Sequence, residues 1–318
     1  MLRRVLPILL LSLAAGTAGC GGGGSGTGDE KVTVALDFTP NAAHAGIYQA
    51  VAGHRDRAHG VRLVIRQPSA STDSLKLLAS GRADLAVVDI HDLGLARQAG
   101  QDLVGVGALV QRPLAAVIAR SSVTRPRDLE GKRVGVTGLP SDNAVLRAVV
   151  QGDGGDYSKV RRVTIGFTAV PSLAAGKVDA VTAFWNVEGV ALRARGVKTT
   201  EFRVDRYGAP RYPELVLVAR RAELDKQRDR IRNALAAIED GTREGTADPA
   251  KALAPIQSAS GAGSALVRSE LAVIRPALSP PVRLQPASLA GWARFDTRFG
   301  ILSRPPDVAS AFDTRVAP

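Results

Sequence analysis

The sequence predicts an α/β fold with mainly parallel sheets, arranged as two lobes of related topology. Three observations carry this. Short aliphatic and β-branched runs alternate with amphipathic helical runs from Lys31 to about residue 220. The segment "LLASGRADLAVVD" (77–89) returns in altered form as "SLAAGKVDAVTAF" (172–184), each a short helix, a glycine, a basic residue, an aspartate and an apolar strand. Beyond Arg221 the β signal vanishes and helical periodicity remains. A single doubly wound domain is the alternative, because periodicity alone does not set strand order.

In order, the strands are expected at 31–36, 61–65, 83–88, 103–109, 114–119, 133–137, 162–167, 179–184 and 214–219. Helices fall between most of them, at 41–57, 72–80, 91–99, 142–151 and 187–195. Gly81 and Gly176 follow helices at the position where a left-handed residue ends them. The tail reads as helices near 222–243, 249–258, 264–274 and 288–299, broken by "SPP" at 279–281. Two lobes require two crossings, expected at 114–120 and 214–220, with the final helices returning to the first lobe.

Ahead of the fold, Arg3 and Arg4 precede "VLPILLLSLAA", a run too short to span a bilayer and laid out as a secretion signal (1–20). It ends in "TAGC", and a Gly/Ser tether follows (21–30). The arrangement resembles a bacterial lipoprotein signal, which would place a lipid on Cys20 and the protein outside the cell membrane, although Thr17 stands where an aliphatic residue is usual. Cys20 is the only cysteine, so the domain has no internal disulfide. The formal charge of +12 comes from basic residues scattered singly, and aromatics are only 4% of the chain. Nucleic-acid binding would need a basic face with stacking platforms, so that class is excluded.

In open α/β sheets ligands gather beyond the carboxyl ends of the strands. "VALDFTPN" is such an end, with Thr39 as helix cap and Pro40 in the first helical position. Asn41, His44 and Tyr48 follow at spacings of three and four, which puts an amide, an imidazole and a phenol on one helix face toward the crevice. The competing reading makes His44 and Tyr48 packing residues. "DIHD" offers Asp89 or His91 to the crevice and Asp92 as a helix cap, and it is also the best candidate for a metal after His44. After the second repeat, "WNVEG" supplies Trp185, Asn186 and Glu188, a flat stacking surface with directional hydrogen bonds that suits a nitrogen heterocycle. In "GLPSDNA", Ser141 or Asp142 caps the next helix, and Asp142 disfavours a phosphate there. No P-loop, G-x-G-x-x-G or nucleophile elbow is present.

"LDFTPNAAHAGIYQA", "ASGRADLAVVD", "ALVQRPLAAVIA", "AGKVDAVTAFWNVEG", "YPELVLVA" and "RPPDVASAF" closely resemble the substrate-binding proteins of ABC importers that belong with the thiamine-pyrimidine-precursor group. The resemblance implies a type 2 periplasmic-binding fold, two Rossmann-like lobes joined by two crossover segments, here 31–117 with 217–318 and 118–216. It implies a formyl-aminopyrimidine or hydroxymethylpyrimidine ligand, with delivery to a permease and ATPase complex by a lipid-anchored monomer. The family's aromatic in "DWTPN" becomes Phe38 beside Asp37; Asn41, His44, Tyr48, Trp185, Asn186 and Glu188 stand where the family has them. Asp89 and His91 replace neutral residues and would favour a more cationic or donor-rich molecule. Wider relatives bind alkanesulfonates, nitrate or riboflavin-like compounds. Eukaryotic members of the superfamily are iron-dependent thiamine-pyrimidine synthases with a cysteine-rich metal motif that this chain lacks. The expectation is therefore a receptor without catalytic residues, cofactor or resident metal.

Overall fold

The computed structural model describes residues 29–70 and 72–318. Cys20 and the signal segment lie outside the described residues. Among those described, no helix is long and apolar enough to cross a membrane.

Every predicted strand is present. The chain opens with β1 (Glu30–Ala35), a 3-10 turn at Ala42–His44, α1 (Ala45–Ala52) and α2 (Arg55–Ala58). There follow β2 (Val61–Arg66), α3 (Asp73–Ala79), β3 (Leu85–Asp89), α4 (Ile90–Gln98) and β4 (Leu103–Val110). The second group comprises β5 (Ala115–Arg120), β6 (Arg133–Val136), α5 (Pro140–Gly152), β7 (Arg161–Thr164), α6 (Ala169–Ala174), β8 (Ala180–Phe184), α7 (Glu188–Ala194) and β9 (Thr199–Arg203). The chain ends with β10 (Leu215–Arg220), α8 (Arg221–Lys226), α9 (Arg228–Ala247), α10 (Pro249–Ser260), α11 (Ser264–Ile274), α12 (Pro286–Arg298) and α13 (Val308–Ala311).

Two five-stranded sheets form, in the orders β2-β1-β3-β10-β4 and β7-β6-β8-β5-β9. The orders are equivalent: three parallel strands, then one strand antiparallel to both its neighbours, then an outer strand. The repeated helix–glycine–strand blocks supply β3 and β8, the same place in each sheet. The sheets are mixed rather than mainly parallel, because β5 and β10 are the strands by which the chain enters one sheet and returns to the other. A strand arriving from the opposite lobe has no βαβ crossover to set it parallel. The chain passes between the sheets at 111–114 and at 204–214.

Gly81 and Gly176 follow α3 and α6 with φ of 74° and 69°, the left-handed conformation that closes a helix. The predicted helix 41–57 is broken into three pieces. Asn41 caps a 3-10 turn by accepting the Ala43 N–H at 2.8 Å, and His54, at φ 55°, separates α1 from α2. α1 packs so closely on α9 that a Cβ at Gly241 would collide with the Gly46 carbonyl and the Ala50 backbone. On the other flank, Trp292 of α12 is fully buried and packs edge-on against Phe312, closing the core under α4 and α5.

Candidate functional site

In each sheet the strand order reverses about one parallel strand, β1 in the first sheet and β6 in the second, so the loops after β1, β3, β6 and β8 leave a crevice at the carboxyl ends. The two crevices face each other across a cavity of about 840 Å³, mouth included. The loop after β1 contributes Asp37 and Phe38, and the end of β3 with the start of α4 contributes Asp89 and Asp92. From the other sheet come Thr137, Ser141 and Asp142 after β6, Phe167 after β7, and Thr182, Phe184 and Glu188 around β8 and α7. Five carboxylates and three phenylalanines therefore line the space, and no lysine, arginine or histidine does so among its described lining residues.

Each carboxylate is held differently. The Asn41 N–H points at His44 Nδ1 (3.3 Å), so Nε2 keeps the proton and donates to Asp37 Oδ1 at 2.8 Å. His44 is fully buried and orients Asp37 rather than facing the cavity itself. Asp89 caps α4 by accepting the His91 N–H at 2.8 Å, and burial, with Glu214 and Asp92 nearby, pushes its carboxyl well above the usual range. Asp92, expected from the sequence to be the cap, instead turns into the cavity and accepts the Ser141 hydroxyl at 3.2 Å from the opposite lobe. Burial raises it to about 7.

Asp142 likewise leaves the cap position. Leu139 is the cap residue of α5, Pro140 opens the helix, and Asp142 folds back onto its own loop. It accepts from Thr137 Oγ1 (2.7 Å), the Gly138 N–H (3.0 Å) and Thr182 Oγ1 (2.9 Å). A loop before a helix N-terminus with hydroxyl and amide donors is an anion cradle, and this one is filled by the chain's own carboxylate. Glu188 accepts the Phe184 N–H at 3.1 Å and is raised to about 7, first by burial and then by Asp37 and Asp142. Glu270 on α11, buried behind the cleft, accepts the Ala42 N–H at 3.3 Å and is raised to about 7 by burial and by Glu188.

The remaining predicted residues lie elsewhere. Tyr48 faces a separate surface groove with Val51 and Pro255, because the 3-10 turn rotates the start of the helix and destroys the assumed common face of Asn41, His44 and Tyr48. Asn41 is spent on its own turn, its amide donating to Thr39 O at 2.9 Å. Trp185 does not line the cavity; its Nε1 donates to Pro113 O (3.2 Å), its N–H to Leu114 O (3.1 Å), and the Arg203 guanidinium lies 4.2 Å over its ring. It braces the first crossing. Asn186 is fully buried beside it.

His91 sits behind the cleft in a fully buried network, its ring nitrogens 2.6 Å from Asp296 Oδ1 and 3.1 Å from the Tyr212 hydroxyl. Burial alone would favour the neutral ring, but Asp296, Asp89 and Glu214 outweigh it and push the imidazole up to about 10. Glu214, at the second crossing, accepts the Leu114 N–H at 2.7 Å and so ties the two crossings together. Asp89, His91 and Glu214 bring ligand-type atoms within 4.8 Å of one another. Both imidazole nitrogens are engaged by Asp296 and Tyr212, so metal ligation there would first cost a hydrogen bond to a buried partner.

Sequence reasoning missed Phe167, Asp296 and Glu270. Phe167 meets Phe38 edge-on at 4.5 Å between ring centroids, joining the two sides of the cleft mouth. Its only sequence signal is its place at the end of a strand in the second lobe.

A family model described as NMT1/THI5 like matches residues 41–252. The chain belongs to the NMT1/THI5-like family. Within the family it is 32% identical over 226 residues to a formylaminopyrimidine-binding protein of Halalkalibacterium halodurans, covering 70% of this chain and 68% of that one. It is 24% identical over 241 residues to the 4-amino-5-hydroxymethyl-2-methylpyrimidine phosphate synthase THI12 of Saccharomyces cerevisiae, covering 70% and 69%. The structure superposes on the alkanesulfonate-binding protein SsuA from Xanthomonas axonopodis pv. citri bound to MOPS with a TM-score of 0.73 at 18% identity, covering 89% of this chain and 98% of that one. The fold of this NMT1/THI5-like chain is thus that of the periplasmic binding proteins, as the sequence resemblance implied.

Proposed function

We propose that this chain is the extracytoplasmic solute-binding receptor of an ABC importer, held at the membrane by a lipid on Cys20, and that it captures a thiamine pyrimidine precursor, a formyl-aminopyrimidine or hydroxymethylpyrimidine. The ligand lies between two lobes, 31–117 with 217–318 and 118–216, whose closure presents the loaded form to a permease and its ATPase. The observation that carries the reading is the described lining: five carboxylates, three phenylalanine rings and, among those residues, no cation. An aminopyrimidine offers N–H donors around its edge and a flat face for edge or stacked aromatic contact. Glu188 and Asp92, both poised near 7, accept donors in either protonation state through their free lone pairs and bind them more strongly when ionised. The named relative that binds formylaminopyrimidine supports the same ligand class.

Two alternatives fit the cleft less well. An alkanesulfonate or nitrate brings negative charge into a space whose described charged lining groups are all acidic, which offers it no cation and repels it wherever those groups ionise. A synthase whose product carries a phosphate needs an anion cradle, and the cradle before α5 is occupied by Asp142. The chain, with a single cysteine, also lacks a cysteine-rich metal motif.

The test is thermal shift of the purified domain with formyl-aminopyrimidine, hydroxymethylpyrimidine, thiamine, riboflavin, an alkanesulfonate and nitrate. A ligand at about a hundred times its dissociation constant adds about 2.7 kcal/mol, visible as a raised melting temperature. A rise confined to the pyrimidines is expected; a rise with the sulfonate or nitrate would contradict the reading.

A further inference from the structure

Among the described residues that line the cavity, one has a buried polar atom without a hydrogen-bond partner, Asp92 Oδ1. The residue is 5% exposed. Its other oxygen is not free: Oδ2 accepts the Ser141 hydroxyl at 3.2 Å, and Ser141 stands in the first turn of α5, on the opposite side of the cleft from α4. Each of the other cavity carboxylates accepts its hydrogen bond from its own lobe, and none reaches across the cleft. Asp37 accepts from His44, Asp89 from the α4 N-terminus, Asp142 from its own loop at Oδ2 and from Thr182 of β8 at Oδ1, and Glu188 from the Phe184 N–H.

From this division we infer that Asp92 is a specificity-determining residue: Oδ1 accepts an amine or ring N–H of the ligand, while Oδ2 links that contact to the opposing lobe through Ser141. The inference rests on the receptor reading above and deepens it by naming the group that reads the ligand's donor. A buried carboxylate oxygen without a donor is costly, and a ligand N–H that satisfies it is favoured over an analogue that leaves it bare. The Ser141 contact exists only when α4 and α5 approach across the cleft. A ligand that orients the Asp92 carboxylate therefore also favours the closed arrangement, to the extent that it binds that arrangement better than the open one.

The test is a ligand-by-variant comparison using isothermal calorimetry with two probes, 4-amino-2-methylpyrimidine and 2-methylpyrimidine, on the wild type, Asp92→Asn, Asp92→Ala and Ser141→Ala. The wild type is expected to prefer the amino compound, and Asp92→Ala to erase that preference: it weakens the other probe only as much as Ser141→Ala does, since both variants remove the closing contact, and costs the amino compound on the order of 10- to 100-fold more. Asp92→Asn, which keeps the shape and one acceptor oxygen, should fall between. Ser141→Ala should weaken both probes by a similar factor, because it removes a closing contact and no ligand contact. Circular dichroism and melting of each variant keep unfolding separate from lost recognition. If the wild type prefers the amino compound and Asp92→Ala preserves that preference, the role assigned to Asp92 is wrong and the receptor reading stands. If the wild type binds neither pyrimidine, the receptor reading for this ligand class falls and the assignment falls with it.

Discussion

Replacing Glu188 by glutamine is expected to weaken binding of an aminopyrimidine on the order of 100-fold without lowering the melting temperature. On the proposed reading the two effects separate, because the carboxylate then serves the ligand and not the fold. Burial, then Asp37 and Asp142, hold it up at about 7. The folded protein therefore keeps an acid under conditions that oppose its ionisation, a local cost typical of sites shaped for binding. Glutamine removes the charge, retains one acceptor for the Phe184 N–H and relieves the repulsion from its acidic neighbours. Calorimetry reads the affinity and differential scanning calorimetry the melting temperature. A parallel fall in both would make Glu188 a packing residue. In the wild type, affinity for a neutral donor ligand should tighten as pH rises through about 7, where Glu188 and Asp92 ionise. In Glu188→Gln that dependence should shrink to the part due to Asp92.

Removal of His91 is expected to have the largest effect on stability. His91→Ala leaves Asp296 and Tyr212 buried without their partner, and breaking a buried charge pair costs about 3–5 kcal/mol. The pH dependence follows from the direction of the shift. His91 has a folded value of about 10 against an ordinary 6.5, so its protonated form contributes stability in full below about 6.5, and the contribution is lost as pH rises toward 10. The raised carboxylates act in the same sense at lower pH: Asp92, Glu188, Glu214 and Glu270 bind protons more tightly in the folded state, so their ionisation lowers stability as pH rises from about 4 to 7. The wild type should melt at a higher temperature at pH 5 than at pH 9. His91→Gln, which retains hydrogen bonding without charge, should lose the portion of the slope above pH 6.5. A melting temperature that rises steadily from pH 6.5 to 10 in the wild type would contradict a protonated His91.

The α/β class, the paired blocks and the helical tail were legible because they rest on local signals: hydrophobic period, glycine stops and capping residues. Strand β9 was not, since "TTEFR" mixes charged and polar residues at a sheet edge and carries little hydrophobic alternation. The mixed character of the sheets was also hidden, because strand direction at β5 and β10 depends on where the chain crosses between lobes. In the cleft, Asp37, Phe38, Asp89 and Glu188 stand at strand ends in the sequence and line the cavity in the structure. Asn41, His44 and Tyr48 illustrate the limit of helical spacing: a 3-10 turn of three residues is enough to separate them. Asp92 and Asp142 were read as caps because each precedes or opens a helix. Which aspartate takes the cap depends on neighbours up to 49 residues away, as the contact from Ser141 to Asp92 demonstrates. Asp296 and Glu270 come from the helical tail and enter the site region only through tertiary packing.

The claim that a self-filled anion cradle and an acidic lining select an uncharged or cationic pyrimidine is tested most directly by one pair of titrations. Wild-type protein would be titrated by calorimetry with hydroxymethylpyrimidine and with its phosphate ester under identical conditions. Binding of the alcohol with no detectable binding of the phosphate is the expected result. Equal or tighter binding of the phosphate would contradict it and would require Asp142 to leave the cradle before α5.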